Sequence, residues 1–168
     1  LNCAVINQGI GSQTSAQVKA RWERDVLAKT VNVGDGLGNN TLPFGGKLPR
    51  AVWLHIGIND VFGDVSVENI INNFNYFAQS CQDNNILLIV DNIGSHALFN
   101  ESRIAIANKV NQYLAGEYLV KYPNVQVIDY WQWSTGGTGL WTNLRAECFK
   151  DNVHPNRAGY CDFAYFAY

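Results

Sequence analysis

The segment "DNVHP" near the end of the printed sequence places Asp151 three residues before His154. A carboxylate that accepts a hydrogen bond from one imidazole N–H fixes the tautomer and orientation of the ring, so that the other nitrogen can take a proton from a hydroxyl group. The pair therefore supplies a base and its orienting acid for a nucleophilic triad, whose third member would be a serine. The alternative is a local turn in which Asp151 accepts backbone N–H groups and the ring stacks on Pro155.

Two earlier turns carry groups that could bind a negatively charged oxygen. The turn "NQGIGSQTS" offers the backbone N–H of Ser12, and "GIND" offers the side-chain amide of Asn59. Acyl transfer requires such donors because the carbonyl oxygen becomes negative in the transition state, and it needs no metal ion or cofactor. If the first turn requires a positive φ, we expect Gly11 to adopt it, since glycine does so most cheaply. We expect Asp60 to be structural and to bind loop amides.

Short apolar runs rich in Val and Ile predict the strands that position these turns, at 3–6, 51–56, 86–91 and 125–129. Segments with helical spacing lie between and after them: one capped by Thr14 or Ser15, one capped by Ser66, one over 101–121, and one that follows Pro155, a residue that suits a first helical turn. Strands separated by such helices form right-handed βαβ units, which predicts a parallel sheet with helices on both faces, a three-layer α/β/α sandwich. The polar turns follow strand ends, where such sheets bind ligands.

Aromatic residues cluster in the loop that leads to Asp151, namely Trp131, Trp133 and Trp141. Flat aromatic faces at the rim of a polar site suit sugar rings, whereas long acyl chains would favour an aliphatic lining. We therefore interpret the three tryptophans as candidate substrate-binding residues for a carbohydrate. The alternative is that one or two of them only cover the core.

The composition and net charge of the chain limit the classes of molecule that it could bind. The chain has 168 residues, of which 47% are hydrophobic and 15% charged, as expected for a single globular domain over 1–168. A net charge of -2, a pI near 5.9 and the lack of a Lys/Arg cluster argue against a nucleic-acid or membrane partner. Possible glycosylation sites at Asn39 and Asn100 fit a secreted or cell-surface protein better than a cytoplasmic one.

Four cysteines are too few for a disulfide scaffold and lack the paired short spacings of a zinc site. We expect Cys3 and Cys81 to be buried free thiols. Cys148 and Cys161 lie on either side of the Asp–His segment. The sequence does not decide whether they form a disulfide or remain free thiols.

The other two histidines receive no catalytic role. His55 lies inside a predicted strand, so we expect it to be a hydrogen-bonded core residue. His96 lies in the loop after the run at 86–91, where it could line the pocket.

The segments "VINQGIGSQTS", "GIND" and "DNVHP" together resemble the second, third and last sequence blocks of the GDSL, or SGNH, hydrolase family, in that order along nearly the whole chain. The resemblance implies a flavodoxin-like parallel sheet and esterase action on small acyl esters. It also implies that His154 is the base, that Asp151 orients it, and that Asn59 and Ser12 donate to the oxyanion.

Two departures from the family pattern matter. The G-D-S block with the nucleophilic serine is absent, and the chain begins where the second strand of the family would. That first strand is interior in the family's sheet, and a fold without it would leave open edges. We therefore expect the domain to be N-terminally incomplete, with an upstream segment or a second chain that supplies the strand and the serine. Ser12 also stands where the family commonly has glycine, and both Ser12 and Ser15 follow the wrong strand for a nucleophile.

The expected function is that of a serine esterase that removes acetyl groups from small esters or acetylated sugars. One alternative is a catalytically inactive carbohydrate-binding module of the same fold. Another is a flavodoxin-like nucleotide-binding domain, because Gly-rich turns at strand ends also bind phosphate. The turn "NQGIGSQTS" lacks the spacings of the two common phosphate-binding glycine motifs, however.

Overall fold

The computed structural model describes residues 5–27, 48–141, 143–151 and 153–167. Its sheet contains three parallel strands in the order β1-β2-β3, which are β1 (Ala51–Leu54), β2 (Leu87–Asp91) and β3 (Val125–Ile128). The strands predicted at 51–56, 86–91 and 125–129 are confirmed with slightly shorter ends. Most of the strand predicted at 3–6 lies outside the described residues. Val5 and Ile6, which are described, belong to no strand and are exposed.

The helices of the described residues are α1 (Ser15–Asp25), α2 (Ile58–Phe62), α3 (Val67–Asp83), α4 (Glu101–Ala115), α5 (Glu117–Lys121), α6 (Tyr130–Ser134) and α7 (Arg157–Ala167). Thr14 caps α1 by accepting the backbone N–H of Gln17, and Ser66 caps α3 in the same manner, as predicted. The single helix predicted over 101–121 is wrong, because Gly116 separates α4 from α5. None of these helices is both long and apolar enough to cross a membrane.

Two hydrophobic cores lie on opposite faces of the sheet. The larger one joins β2 to α3 and α4 through fully buried side chains: Leu88, Val90, Phe74, Phe77, Val110 and Leu114. The smaller one joins the other face to α6 and α7 through Tyr130, Trp133, Phe149 and Phe163. Helices therefore cover both faces of a parallel sheet, which confirms the predicted three-layer α/β/α class.

Strand β1 lies at one edge of the sheet. In the part of the chain that the structure describes, no strand pairs with its outer side. Its residue Trp53 is 51% exposed, although tryptophan is usually well buried. An edge strand with unpaired backbone groups can accept another strand.

The turn between β1 and α2 depends on Gly57. Its φ of 104° lies in the region that favours glycine, and a Cβ atom there would lie 3.0 Å from the Ile93 side chain. The glycine of "GIND" therefore lets the chain turn sharply into α2, which carries Asn59.

Candidate active site

Asp151 and His154 lie in a tight loop between a short 3-10 helix (Ala146–Cys148) and α7. A single β-bridge joins Phe149 to Pro155, and the backbone N–H of Lys150 donates to the His154 carbonyl oxygen over 2.9 Å. The His154 Nδ1 atom lies 2.9 Å from Asp151 Oδ2 and 3.2 Å from Oδ1. The loop thus brings the two side chains into contact. A helix follows Pro155, as predicted, but Pro155 itself lies before its first turn, because the bridge to Phe149 holds it in the loop.

The Asp151 carboxylate has a second set of partners. Its Oδ1 accepts the backbone N–H of His154 at 2.7 Å and that of Val153 at 2.8 Å. The bonds from the His154 backbone and ring, together with that from Val153, hold the pKa of Asp151 well below its usual range. Asp151 therefore makes the contacts that both alternatives require of it, since it accepts the turn N–H groups and also contacts the His154 ring. The His154 side chain is 61% exposed, and its Nε2 has no protein partner among the described residues.

The turn before α1 is joined directly to the start of α2. The Asn59 side-chain amide donates to the carbonyl oxygen of Gln13 over 3.0 Å. Beside it, the buried Asp60 carboxylate accepts the backbone N–H and the hydroxyl of Ser15, at 2.8 and 2.6 Å. Burial raises the pKa of Asp60, while its bonds to Ser15 oppose that rise. The structural role predicted for Asp60 is confirmed, and the contacts place the Asn59 amide at the turn that contains Ser12.

Ser12 adopts the strained backbone conformation of this turn. Its φ is 66°, whereas Gly11 is not among the residues with a positive φ. The expectation that Gly11 would adopt a positive φ is therefore wrong. A left-handed conformation costs a non-glycine residue about 1–2 kcal/mol, because Cβ crowds the following carbonyl.

We expect Ser12→Gly to raise the free energy of unfolding by up to about 1 kcal/mol, because relief of the strain outweighs the greater flexibility of glycine in the unfolded chain. Urea denaturation measures this change. Gly11→Ala is the matched control, since a Cβ at Gly11 would meet nothing within 4 Å and Gly11 needs no positive φ. A Ser12→Gly protein less stable than the parent would contradict the account of strain.

The three candidate tryptophans occupy different environments. Trp133 and Trp141 are only 2% and 8% exposed, and their indole N–H groups donate to Asp162 and Asn108. Both are core residues without a free face for a sugar ring, because the packing of the two clusters encloses them. Trp131 is partly buried and stacks on Trp141 with ring centroids 5.2 Å apart. Among the three, Trp131 is the one that is not fully buried, although its indole nitrogen is buried without a partner among the described residues.

A protein-family model for the GDSL-like lipase/acylhydrolase family matches residues 1–160. This chain belongs to that family. A GDSL-like lipase from Bacteroides thetaiotaomicron has a similar structure, with a TM-score of 0.70 and 22% identity over 95% of this chain and 71% of the other. A catalytic mutant of an acetylxylan esterase from Geobacillus stearothermophilus gives a TM-score of 0.64 and 22% identity over 96% of this chain and 68% of that one. At these identities the likeness shows a shared fold. Comparison with curated proteins gives no significant match.

His55 forms a second His–Asp pair in this family member, which was not predicted from the sequence. Its Nδ1 lies 2.8 Å from Oδ2 of the buried Asp91, which also accepts the indole N–H of Trp53. The expectation that His55 is a core residue is wrong, because 54% of its side chain is exposed at the edge strand. The positions of the two residues could have predicted this contact. His55 directly follows β1 and Asp91 ends the neighbouring β2, so parallel pairing of the strands brings them together.

The described cysteines are all free. Cys81 is buried, as predicted, and burial raises the pKa of its thiol to about 12. Cys148 is buried whereas Cys161 is exposed on α7, and the two do not form the possible bridge. Cys3 lies outside the described residues. Within the described residues, no cluster of His, Cys, Asp and Glu side chains could hold a metal ion.

Proposed function

We propose that this chain forms most of a serine esterase that hydrolyses small acyl esters, with acetylated carbohydrate as the substrate class. The contact between Asp151 and His154, with Nε2 of the ring left open, is the observation that carries the proposal. Membership of an acylhydrolase family supports the reaction class.

In the proposed mechanism the His154 Nδ1–H donates to Asp151, which leaves Nε2 unprotonated and able to accept the proton of a serine hydroxyl. The serine oxygen then attacks the ester carbonyl, and His154 gives the proton to the leaving alcohol, which leaves an acyl-serine. A water molecule that gives a proton to His154 attacks this ester, and His154 returns the proton to the serine oxygen as the acid is released. Asp151 stays ionised throughout, because its backbone partners hold the pKa of the carboxyl well below its usual range.

The developing oxyanion would be stabilised by Asn59 and by the backbone N–H of Ser12. An Asn side chain has two N–H donors, and the described structure uses only one of them, to the Gln13 carbonyl. The second N–H is available to a substrate. Such donors are worth roughly 3 kcal/mol of barrier each in well-studied hydrolases. No step requires a metal ion or cofactor.

The nucleophile is proposed to come from a segment outside residues 1–168. The printed sequence contains no G-D-S block. Ser15 is unsuitable because its hydroxyl is committed to Asp60 and accepts the Asn73 amide. An upstream segment or a second chain that pairs with the outer side of β1 would place its strand end beside the turn of Asn59.

Two observations support carbohydrate as the substrate class. Trp131 is not fully buried and follows the end of β3, where a sugar could stack on it. One solved structure with the same fold is named an acetylxylan esterase. We therefore propose that Trp131 contacts the sugar, whereas Trp133 and Trp141 support the loop from within.

The proposal predicts that the full-length polypeptide hydrolyses p-nitrophenyl acetate and acetylated xylo-oligosaccharide, and that a metal chelator has no effect. Residues 1–168 alone should be inactive because they lack the serine. Purified full-length protein and the isolated segment are compared by release of p-nitrophenol and of acetate. Circular dichroism of the isolated segment separates a missing nucleophile from a missing fold.

Activity of residues 1–168 alone would show that the nucleophile lies within this chain. Full-length protein that binds acetylated xylo-oligosaccharide without hydrolysing either ester would instead support the carbohydrate-binding module. Binding of a nucleotide with no affinity for the sugar would support the flavodoxin-like alternative.

A further inference from the structure

Three aromatic side chains form a compact cluster next to Asn59. The rings of Phe62 and His96 meet edge to face with centroids 4.6 Å apart, and Phe99 lies 5.3 Å from Phe62 and 5.6 Å from His96. His96 and Phe99 are 3% and 8% exposed, while Phe62 is partly exposed. We call Phe62, His96 and Phe99 the aromatic wall.

The aromatic wall lies beside the Asn59 half of the proposed site. Asn59 and Phe62 are one turn apart on α2, and residues at this spacing share a helix face with Cβ atoms about 5–6 Å apart. The His96 ring packs edge to face on Phe62, so the wall extends from α2 to the loop that follows β2. A carbonyl group bound to the Asn59 amide would therefore have Phe62 within a few ångströms of its acyl substituent.

The wall is held in place by contacts on its outer side. The Arg103 guanidinium lies 4.9 Å from the centre of the Phe62 ring and donates to the Phe62 carbonyl oxygen. Phe99 packs against Trp141, and its backbone N–H donates to the His96 carbonyl oxygen. A close-packed cluster of this kind resists displacement, so a longer acyl chain cannot simply push the rings aside.

His96 adds a polar group to this wall. Its Nδ1 accepts the backbone N–H of Leu98 over 2.9 Å, so the neutral ring has its proton on Nε2. Burial lowers the pKa of His96, an effect that outweighs the opposing charge of Asp151 and keeps the ring neutral. Nε2 has no protein partner among the described residues and is not one of their fully enclosed unpaired polar atoms. An aliphatic chain packed over this N–H would leave the donor without a hydrogen-bond partner, which disfavours such a chain.

We propose that the aromatic wall restricts the acyl group of the substrate to about the size of acetyl. This inference rests on the proposed esterase function and adds its acyl specificity. Phe62 and Phe99 occupy the volume that a longer chain would need, and the His96 N–H disfavours an apolar chain in what remains.

The test measures kcat/KM of the full-length protein for p-nitrophenyl acetate, butyrate and hexanoate. Phe62→Ala should raise the hexanoate-to-acetate ratio by about tenfold or more, since each methylene that fits a new apolar pocket is worth 10-fold or more in discrimination. His96→Leu keeps a similar volume without the N–H, and should raise the butyrate-to-acetate ratio. Phe163→Leu is the control, because Phe163 belongs to the smaller core around α7 and should leave both ratios unchanged.

The outcomes separate the two proposals. Wild-type protein that cleaves the acetate ester, with ratios that neither Phe62→Ala nor His96→Leu changes, would overturn the aromatic wall alone. A wild-type preference for hexanoate would also overturn it. Protein inactive toward all three esters would overturn the esterase function and, with it, the specificity. If His96→Leu fails to fold, the hexanoate-to-acetate ratio of Phe62→Ala alone tests the proposal.

Discussion

Replacing His154 by alanine in the full-length protein should lower kcat by about three orders of magnitude or more, because the members of a triad act as a unit and only the oxyanion donors then remain. The ring is 61% exposed, so its removal should change the free energy of unfolding little. Initial rates with p-nitrophenyl acetate and urea denaturation measure the two quantities separately.

His55→Ala is the matched control for this variant. His55 is also about half exposed and also contacts an Asp carboxylate at 2.8 Å, but its partner is the buried Asp91. We expect its removal to leave kcat within the same order of magnitude. Equal losses of kcat for His55→Ala and His154→Ala would contradict the assignment of the base to His154.

The pH dependence follows from the same pair. The depressed pKa of Asp151 keeps its carboxylate ionised well below neutral pH, so Asp151 does not limit the rate on the acid side. The rate should still fall with decreasing pH, because a general base that already carries a proton cannot accept the serine proton. A rate that is flat between about pH 5 and 8 would contradict this role.

The sequence predicted best those features that depend on neighbouring residues. Thr14 and Ser66 are recognisable caps because their partners lie three residues away. The contact between Asp151 and His154 also needs only one local turn. Strand positions followed from continuous apolar runs, since strands covered by helices on both faces have no polar side.

Features that depend on tertiary packing were predicted poorly. His55 and Asp91 are 36 residues apart and meet only because β1 and β2 pair in register. Trp133 looks equally suited to a sugar site or a core, and only its neighbours in the fold bury it. The positive φ falls on Ser12 rather than Gly11, because the contacts of the following residues with α2 set the path of the turn.

Asn59 was recognisable from the sequence, but its attachment to the rest of the site was not. The Asn59 amide donates to the Gln13 carbonyl oxygen, and the adjacent Asp60 accepts two hydrogen bonds from Ser15. The start of α2 therefore fixes the position of the loop that precedes α1. The separate contacts of these two neighbours matter for any variant, because the proposed oxyanion donor is Asn59, whereas Asp60 secures the turn.

Replacing Asn59 by alanine should lower kcat of the full-length protein by roughly 10²-fold to 10³-fold, the loss expected for one oxyanion donor, with little change in KM. The turn should keep its position, because Asp60 still binds Ser15 and only the single bond to Gln13 is lost. Steady-state kinetics with p-nitrophenyl acetate measure the split between kcat and KM.

Asn73→Ala is the matched control, since Asn73 donates to the Ser15 hydroxyl within the same network but offers no donor to the substrate. It should lower the free energy of unfolding by about 1 kcal/mol, the usual effect of one lost hydrogen bond, and leave kcat within the same order of magnitude. Asn59→Asp should be at least as harmful as Asn59→Ala, because a carboxylate has no N–H and repels the oxyanion. If Asn59→Ala instead loses stability and activity no more than Asn73→Ala does, Asn59 acts only by securing the turn, and the oxyanion donor must be sought elsewhere.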